Sequence, residues 1–148
     1  MDPDWVRRYQ RQLLLAPIGG AGQQKLQAAT VLLHGDAPLC ATYLAAAGVG
    51  CLRHSGPRPE LASHDPGFRL EPGAPGDEAD FVLDLGDGEA WRAARGPKLW
   101  GGVVRDELRL DAEPVAGARL TPVLQTLAAG EAAWRLLGHA AHRWSAVP

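Results

Sequence analysis

The segment Thr30–Gly50 reads TVLLHGDAPLCATYLAAAGVG and determines the predicted architecture. Its apolar start, Val31–Leu33, is typical of a buried parallel strand, and Gly35 ends that strand. Leu39–Ala47 is rich in strong helix formers, and the following Gly48 predicts the C-cap of a helix. Strand character returns just beyond that glycine. A strand, a glycine turn, a helix and a second strand form the first βαβ unit of a doubly wound α/β fold.

The turn between this strand and this helix lacks most of the glycines of a phosphate-binding loop. A dinucleotide fingerprint has the form G-x-G-x-x-G, whose glycines let the backbone approach a pyrophosphate at the helix N-terminus. Only Gly35 is present here. Asp36 places a negative charge where a phosphate would lie, and Pro38, suited to the first helical turn, removes an N–H donor. The sequence therefore predicts a nucleotide-binding scaffold with a degenerate phosphate site.

Length and composition indicate a single globular domain. The chain has 148 residues, of which 46% are hydrophobic, and its net charge of −2 favours neither nucleic acid nor an anionic membrane. The N-terminus lacks the apolar run of a signal peptide, and no apolar stretch of ~18 residues predicts a membrane span. Cys40 and Cys51 fall in predicted core elements, where buried thiols fit a reducing cytoplasm. We therefore expect a cytoplasmic protein without nucleic-acid or membrane partners.

Local patterns predict the remaining elements. Residues 1–28 form an N-terminal helical arm whose first helix is capped by Asp4. Segment 56–79 is rich in proline and glycine and predicts irregular structure with one short strand. Thr121 predicts the cap of a long apolar C-terminal helix, which Gly138 ends. The other predictions are helices from Trp5 to about Leu15, over Ala21–Ala28 and over Glu89–Ala94, and strands at Phe68–Leu70, within Ala79–Gly88, at Pro97–Val104 and at Glu107–Leu110, the last two as a hairpin.

Four ordered motifs resemble the E1-like adenylating family, which includes ThiF, MoeB, HesA and the ubiquitin-activating enzymes. Arg8–Leu13 (RYQRQL) resembles the family form R-Y-x-R-Q, and Ile18–Leu26 (IGGAGQQKL) resembles I-G-x-x-G-Q-x-K-L. Tyr43–Gly50 (YLAAAGVG) resembles the helix end Y-L-A-x-A-G-V-G. Arg119–Gly138 resembles the closing helix, of the form P-V-x-G-x-x-G-x-x-Q-A-x-E-A-x-K-x-L-x-G.

The resemblance implies an α/β fold in one E1-like (ThiF-type) domain over residues 1–148. The expected sheet is a reduced Rossmann-like, mostly parallel sheet with helices on both faces and an antiparallel edge hairpin. By the same comparison the glycine loop is about three residues short. The family's ribose-binding aspartate would fall near Gly56, and its N-x-x-R-Q motif and phosphate-contacting lysine have no counterpart.

The resemblance also implies the candidate site residues. Asp84 and Asp87 match the two carboxylates of the family segment D-V-V-x-D-x-x-D-N, of which the second helps to position Mg–ATP. The family arginine of R-Y-x-R-Q reaches the ATP site of the dimer partner, which makes Arg11, with Arg8 on the same helix, a candidate in trans. If a nucleotide binds, the expected contacts are Gly35, both carboxylates and both arginines, with Asp87 and Arg11 catalytic.

The residues themselves leave structural alternatives open. Asp84 can simply end a strand, Asp87 can cap the following helix, and Arg8 and Arg11 can be solvated charges on a helix face. No metal site is predicted, because His34, His54 and His64 match no ligand spacing. No cysteine follows Cys51, so thioester chemistry is not expected either.

The leading functional hypothesis is a degenerate, non-catalytic E1-like protein that needs no cofactor. It would serve as a homodimeric scaffold, or as the inactive half of a heterodimer with an active E1-like enzyme, with a carrier protein or peptide as a further partner. The resemblance implies sulfur-carrier, ubiquitin-like or peptide-modification chemistry. Two alternatives remain open: an active adenylyltransferase that uses ATP and Mg²⁺ on a C-terminal carboxylate, and a Rossmann-type module for another small ligand.

Overall fold

The computed structural model describes residues 2–61 and 65–139. Over these residues the chain forms five helices and six strands. The helices are α1 (Pro3–Leu13), α2 (Gly19–Ala28), α3 (Pro38–Ala47), α4 (Glu89–Ala93) and α5 (Pro122–Leu136). The strands are β1 (Thr30–His34), β2 (Cys51–Ser55), β3 (Arg69–Pro72), β4 (Phe81–Asp84), β5 (Lys98–Val104) and β6 (Glu107–Leu110).

The six strands make one sheet in the order β3-β2-β1-β4-β5-β6. All neighbouring pairs are parallel except β5 and β6, which form an antiparallel hairpin. The predicted α/β class, with a mostly parallel sheet and an antiparallel edge, is therefore confirmed. The strand order reverses direction between β1 and β4, which makes the carboxyl ends of these two strands the topological switch point, where doubly wound folds bind ligands.

The first βαβ unit forms at the predicted residues. Pro38 begins α3, and Gly48 ends it in the left-handed conformation at φ 91°. Along β1, Val31 and Leu33 face the main core, whereas Leu32 faces the other side of the sheet. All three side chains are buried, as expected for a parallel strand that is covered on both faces.

The two faces of the sheet are covered unequally. Helices α3 and α5 pack against each other and, together with Leu26 of α2, build the main core over one face. The other face carries a small apolar cluster of Leu32, Val82 and Ala90, the last from the short helix α4. Segment 56–79 contributes β3 as an edge strand, and its described residues contain no helix. A full crossover helix is therefore missing from this face within the described residues.

The N-terminal arm lies at the amino ends of the parallel strands. The Trp5 indole donates to Gln27 Oε1 at 2.8 Å, just before β1, and the buried Tyr9 hydroxyl donates to Asp65 at 3.1 Å, just before β3. Burial, followed by the charge of Asp65, raises the pKa of Tyr9 to about 12. The cap of α1 is Asp2 and not Asp4, because the Asp2 carboxylate accepts from the Asp4 N–H and Pro3 begins the helix.

Two other sequence expectations, the cap of α5 and the burial of the two cysteines, are confirmed by the described residues. Thr121 caps α5 by accepting from the Leu124 N–H, as predicted. Cys40 and Cys51 are both buried free thiols, and burial raises the pKa of each. No helix among the described residues has both the length and the apolar character needed to cross a membrane.

Gly48 of the βαβ unit lies close to Tyr9 of the N-terminal arm, and this close approach provides a test of the packing. A Cβ at this position would lie 2.9 Å from the Tyr9 ring on a left-handed backbone. We expect Gly48→Ala to lower the free energy of unfolding by about 1–3 kcal/mol, measured by urea denaturation. Gly130→Ala is the control, because that site in α5 is open, and it should stabilise by up to about 1 kcal/mol. Equal effects of the two variants would contradict the packing described.

Candidate functional site

The glycine turn after β1 is packed against the exit of β4. The Gly35 N–H donates to the Ser55 carbonyl at 3.1 Å, and the residue has a positive φ of 107°. A Cβ on Gly35 would lie 2.9 Å from the carbonyl carbon and oxygen of Leu85. Close approach of two backbone segments therefore explains this glycine without a phosphate.

The N-terminus of α3, where a phosphate would bind, is occupied by a side chain of α5. Pro38 at the first helical position has no N–H. The next two N–H groups, of Leu39 and Cys40, both donate to Gln125 Oε1, at 2.9 Å and 3.1 Å. The Ala41 N–H already bonds within the helix, to the Ala37 carbonyl. The first-turn donors that bind anions in nucleotide folds are thus satisfied internally.

Asp84 organises the loop between β4 and α4. Its side chain is fully buried. One carboxylate oxygen accepts from the N–H groups of Gly86 and Gly88, at 2.9 Å and 3.3 Å, and the other accepts from the Trp91 N–H at 2.9 Å. Three backbone donors therefore hold this carboxylate inside the protein, as the strand-end alternative requires.

Asp87 lies on the solvent side of the same loop, with 73% of its side chain exposed. It accepts from the Glu89 N–H at 2.9 Å and lies 3.1 Å from His34 Nε2. The Glu89 N–H bond, followed by the His34 contact, lowers the pKa of Asp87. Asp87 therefore helps to cap α4, although the residue at the cap position is Gly88 and the Trp91 N–H bonds to Asp84 instead.

His34 connects the carboxyl ends of three neighbouring strands. It is the last residue of β1, its Nδ1 lies 3.1 Å from the Ser55 hydroxyl at the end of β2, and its Nε2 lies 3.1 Å from Asp87 after β4. Gly56, near which the resemblance places the family's ribose-binding aspartate, packs against the Gly35 backbone. A Cβ added to Gly56 would lie 3.3 Å from the Gly35 carbonyl oxygen. The switch point is therefore spanned by the protein's own polar groups.

The candidate arginines lie at the amino ends of the parallel strands, whereas the two carboxylates lie at the carboxyl ends. Arg8 Nε is 3.7 Å from Asp65, which precedes β3, and Arg8 lines an open groove of about 830 Å³ with Trp5. Arg11 is exposed and forms no salt bridge within residues 2–61 and 65–139. Because these are the amino ends of the strands, one chain does not bring the arginines to Asp84 and Asp87.

Two members of this site, Gln125 and Ser55, were not predicted from the sequence. Gln125 is separated by more than eighty residues from the N–H groups that it binds, and no local pattern indicates that contact. Ser55 and His34 are neighbours because β1 and β2 pair in register, a signal that follows once both strands are placed. His64, considered above as a metal ligand, lies outside the described residues.

Comparisons with known proteins agree with this fold and with the motifs. No protein-family model matches the chain. The adenylyltransferase and sulfurtransferase MOCS3 of Oryza sativa subsp. japonica is 48% identical over 52 residues, which is 33% of this chain and 12% of the rice protein. MOCS3 of Bos taurus is 54% identical over 50 residues, which is 32% of this chain and 11% of the bovine protein. The matched segment is therefore a small part of each relative.

Solved structures match over most of the chain at low identity. PaaA superposes with a TM-score of 0.66 and 15% identity, covering 96% of this chain and 68% of PaaA. Escherichia coli MccB, solved with AMPCPP and MccA, gives 0.60 and 15%, covering 88% of this chain and 63% of MccB.

The E. coli tRNA N6-threonylcarbamoyladenosine dehydratase TcdA gives a TM-score of 0.60 and 13% identity, covering 93% of this chain and 95% of TcdA. The structural matches show a shared fold. The matches to MOCS3 add a local sequence similarity to adenylyltransferases over about a third of this chain.

The contacts of Gln125 predict a specific loss on substitution. Gln125→Met keeps most of the side-chain volume but leaves the Leu39 and Cys40 N–H groups without their acceptor. We expect the free energy of unfolding to fall by about 1–3 kcal/mol in urea denaturation. Gln24→Met, on the exposed side of α2, is the control and should change it by about 0.5 kcal/mol or less. A Gln125→Met protein as stable as this control would show that the contact is not needed.

The two carboxylates should respond differently to neutral substitution. Asp84→Asn turns an amide toward the Trp91 N–H or the glycine N–H groups, and we expect a loss of about 1–3 kcal/mol. Asp87→Asn keeps an oxygen for the Glu89 N–H on an exposed side chain, so a change of about 0.5 kcal/mol or less is expected. Thermal and urea unfolding of both variants measure the difference. A reversed order would contradict the roles assigned to the two residues.

Proposed function

We propose that this chain is a degenerate E1-like protein that does not adenylate a substrate itself. It acts as a dimeric scaffold, or as the inactive partner of an active E1-like enzyme, in sulfur-carrier, ubiquitin-like or peptide-modification chemistry. The observation that carries the proposal is the occupation of the α3 N-terminus by Gln125.

Adenylation requires donors and cations that stabilise the charge of the reacting phosphates. Removal of one such donor typically costs about 10²–10³ in rate. Here Pro38 lacks an N–H, two further donors bind Gln125, and the Gly35 N–H binds Ser55. A triphosphate would have to displace these contacts and lie beside the exposed Asp36. The loss of several phosphate-binding donors together supports a chain that does not adenylate at a useful rate.

Gln125 also marks a departure from the family's closing helix. In the form P-V-x-G-x-x-G that Pro122 and Val123 begin, this chain has Gln125 where the first glycine stands. A glycine leaves the facing helix N-terminus open, whereas the glutamine side chain spans the gap between α5 and α3. Gln125 in place of the glycine therefore accounts for the occupied Leu39 and Cys40 N–H groups.

Arg11 supports a role in an assembly. It is exposed at the end of α1, and the apolar side chains of Leu14 and Leu15 that follow are 85% and 53% exposed. Exposed apolar residues beside a charged residue are common at protein interfaces. An arginine presented in this way can serve a site on another subunit even when its own chain is inactive.

The named relatives support the kind of chemistry without fixing the substrate. MOCS3 is named as an adenylyltransferase and sulfurtransferase, and MccB was solved with MccA. We infer a carrier protein or peptide as the third member of the assembly. Asp87 is exposed enough to ligate Mg²⁺, which keeps active adenylation, with ATP and Mg²⁺ as cofactors and Arg11 in trans, as the competing function.

The deciding experiment combines nucleotide binding, exchange and mass. We expect no saturable heat when Mg–ATP is titrated into the purified chain, no ATP–pyrophosphate exchange, and a light-scattering mass twice that of one chain. Saturable binding, with exchange that disappears in Asp87→Asn, would replace this proposal by the adenylyltransferase. A strict monomer that fails to associate with any E1-like enzyme would contradict the scaffold role.

A further inference from the structure

The polar cluster at the switch point contains three groups of the kinds that bind metal ions. His34 Nε2, a carboxylate oxygen of Asp87 and a carboxylate oxygen of Glu89 all lie within 4.8 Å of one another. The nitrogen comes from the end of β1, and the two oxygens come from the loop before α4 and from the first residue of α4. The tertiary fold, rather than one run of acidic residues, brings them together.

The His34 imidazole is oriented by a contact at Nδ1, and its Nε2 faces the exposed Asp87. Its Nδ1 lies 3.1 Å from the Ser55 hydroxyl, and only 14% of the His34 side chain is exposed. Gly86 leaves room for the ring, since a Cβ there would lie 3.0 Å from His34 Cδ2. Asp87, in contrast, is 73% exposed. A ligating histidine is typically oriented by a hydrogen bond to its other nitrogen, and Ser55 supplies that contact here.

We propose that His34 Nε2, Asp87 and Glu89 bind a divalent first-row transition-metal ion such as Zn²⁺, in preference to Mg²⁺. Imidazole and carboxylate ligands suit Zn²⁺, whereas Mg²⁺ requires near-ideal octahedral oxygen ligands. Bonds of about 2.0–2.1 Å in tetrahedral geometry place ligand atoms roughly 3.3 Å apart. The 3.1 Å between His34 Nε2 and Asp87 is close to that spacing, and water completes the shell on the open side.

This site goes beyond the proposed function, because it needs no nucleotide and includes an imidazole. The alternative is a plain hydrogen bond in which Nε2–H donates to Asp87 and Nδ1 accepts from Ser55. The two arrangements differ in the tautomer of the imidazole, since an ion on Nε2 requires that nitrogen to be unprotonated and leaves the ring proton on Nδ1, which then donates to the Ser55 hydroxyl. Metal titration therefore separates them directly.

The test uses the full chain without a histidine tag, after removal of metal with a chelator. Zn²⁺ is titrated by calorimetry without nucleotide, and Co²⁺ is added in parallel to record the visible bands of a bound ion. We expect one Zn²⁺ per chain, with affinity unchanged by millimolar Mg²⁺. Absence of binding at that stoichiometry, or displacement by Mg²⁺, would overturn the proposal.

Variants assign the ion to this cluster. Glu89→Gln alters an exposed side chain, and we expect the Zn²⁺ affinity of this variant to fall at least about tenfold. His34→Gln should lose the site, and Ser55→Ala should weaken it by about 10–100-fold through the imidazole orientation. His54→Gln, one strand away, is the matched control and should bind as the unmodified chain does. Binding that survives Glu89→Gln and His34→Gln unchanged would overturn the proposal.

Discussion

The hydrogen bonds from the Leu39 and Cys40 N–H groups to Gln125 Oε1 determine what this fold can do. A helix N-terminus needs partners for its free donors, and in nucleotide-binding folds an anion provides them. Here the partner is an uncharged amide from α5, which also joins the two helices that cover the main face of the sheet. Satisfying these donors internally stabilises the chain and leaves fewer contacts for a phosphate.

At the carboxyl ends of the other parallel strands, polar groups are likewise satisfied by contacts within the chain. Asp84 satisfies three backbone N–H groups of its own loop, the Gly35 N–H bonds to the end of β2, and His34 joins Ser55 to Asp87. Buried polar groups need partners, and a site without a ligand must find them in the protein. The crevice at the switch point is thus held closed by contacts within the chain. What remains open is the outer side of Asp87 and Glu89.

Much of the fold could be predicted because its signals are local. The apolar run of β1, Pro38 and Gly48 around α3, and Thr121 before α5 each act within a few residues. The resemblance of the motifs to the E1-like adenylating family extended the prediction to the mostly parallel sheet and its antiparallel edge hairpin. Smaller errors came from the same locality, since Asp2 and Asp4 are equivalent caps until the start of α1 is known.

The site was less predictable because its contacts are remote in sequence. Nothing near Gln125 indicates that it faces the start of α3, and the roles of Asp84 and Asp87 depend on which carboxylate turns inward. The contact of His34 with Asp87 requires both the pairing of β1 with β4 and the path of the following loop. The sequence correctly predicts Arg8 and Arg11 on one helix. The distance of that helix from Asp84 and Asp87 is evident only from the folded structure.

The Leu39 and Cys40 amide signals in a two-dimensional nitrogen–proton NMR spectrum test the central claim most directly. If Gln125 holds these donors, both signals should stay in place as Mg–ATP is added to millimolar concentration. Saturable movement of both signals, while amides at the amino edge such as Gln24 stay fixed, would show that a nucleotide displaces the glutamine and that the phosphate site is functional.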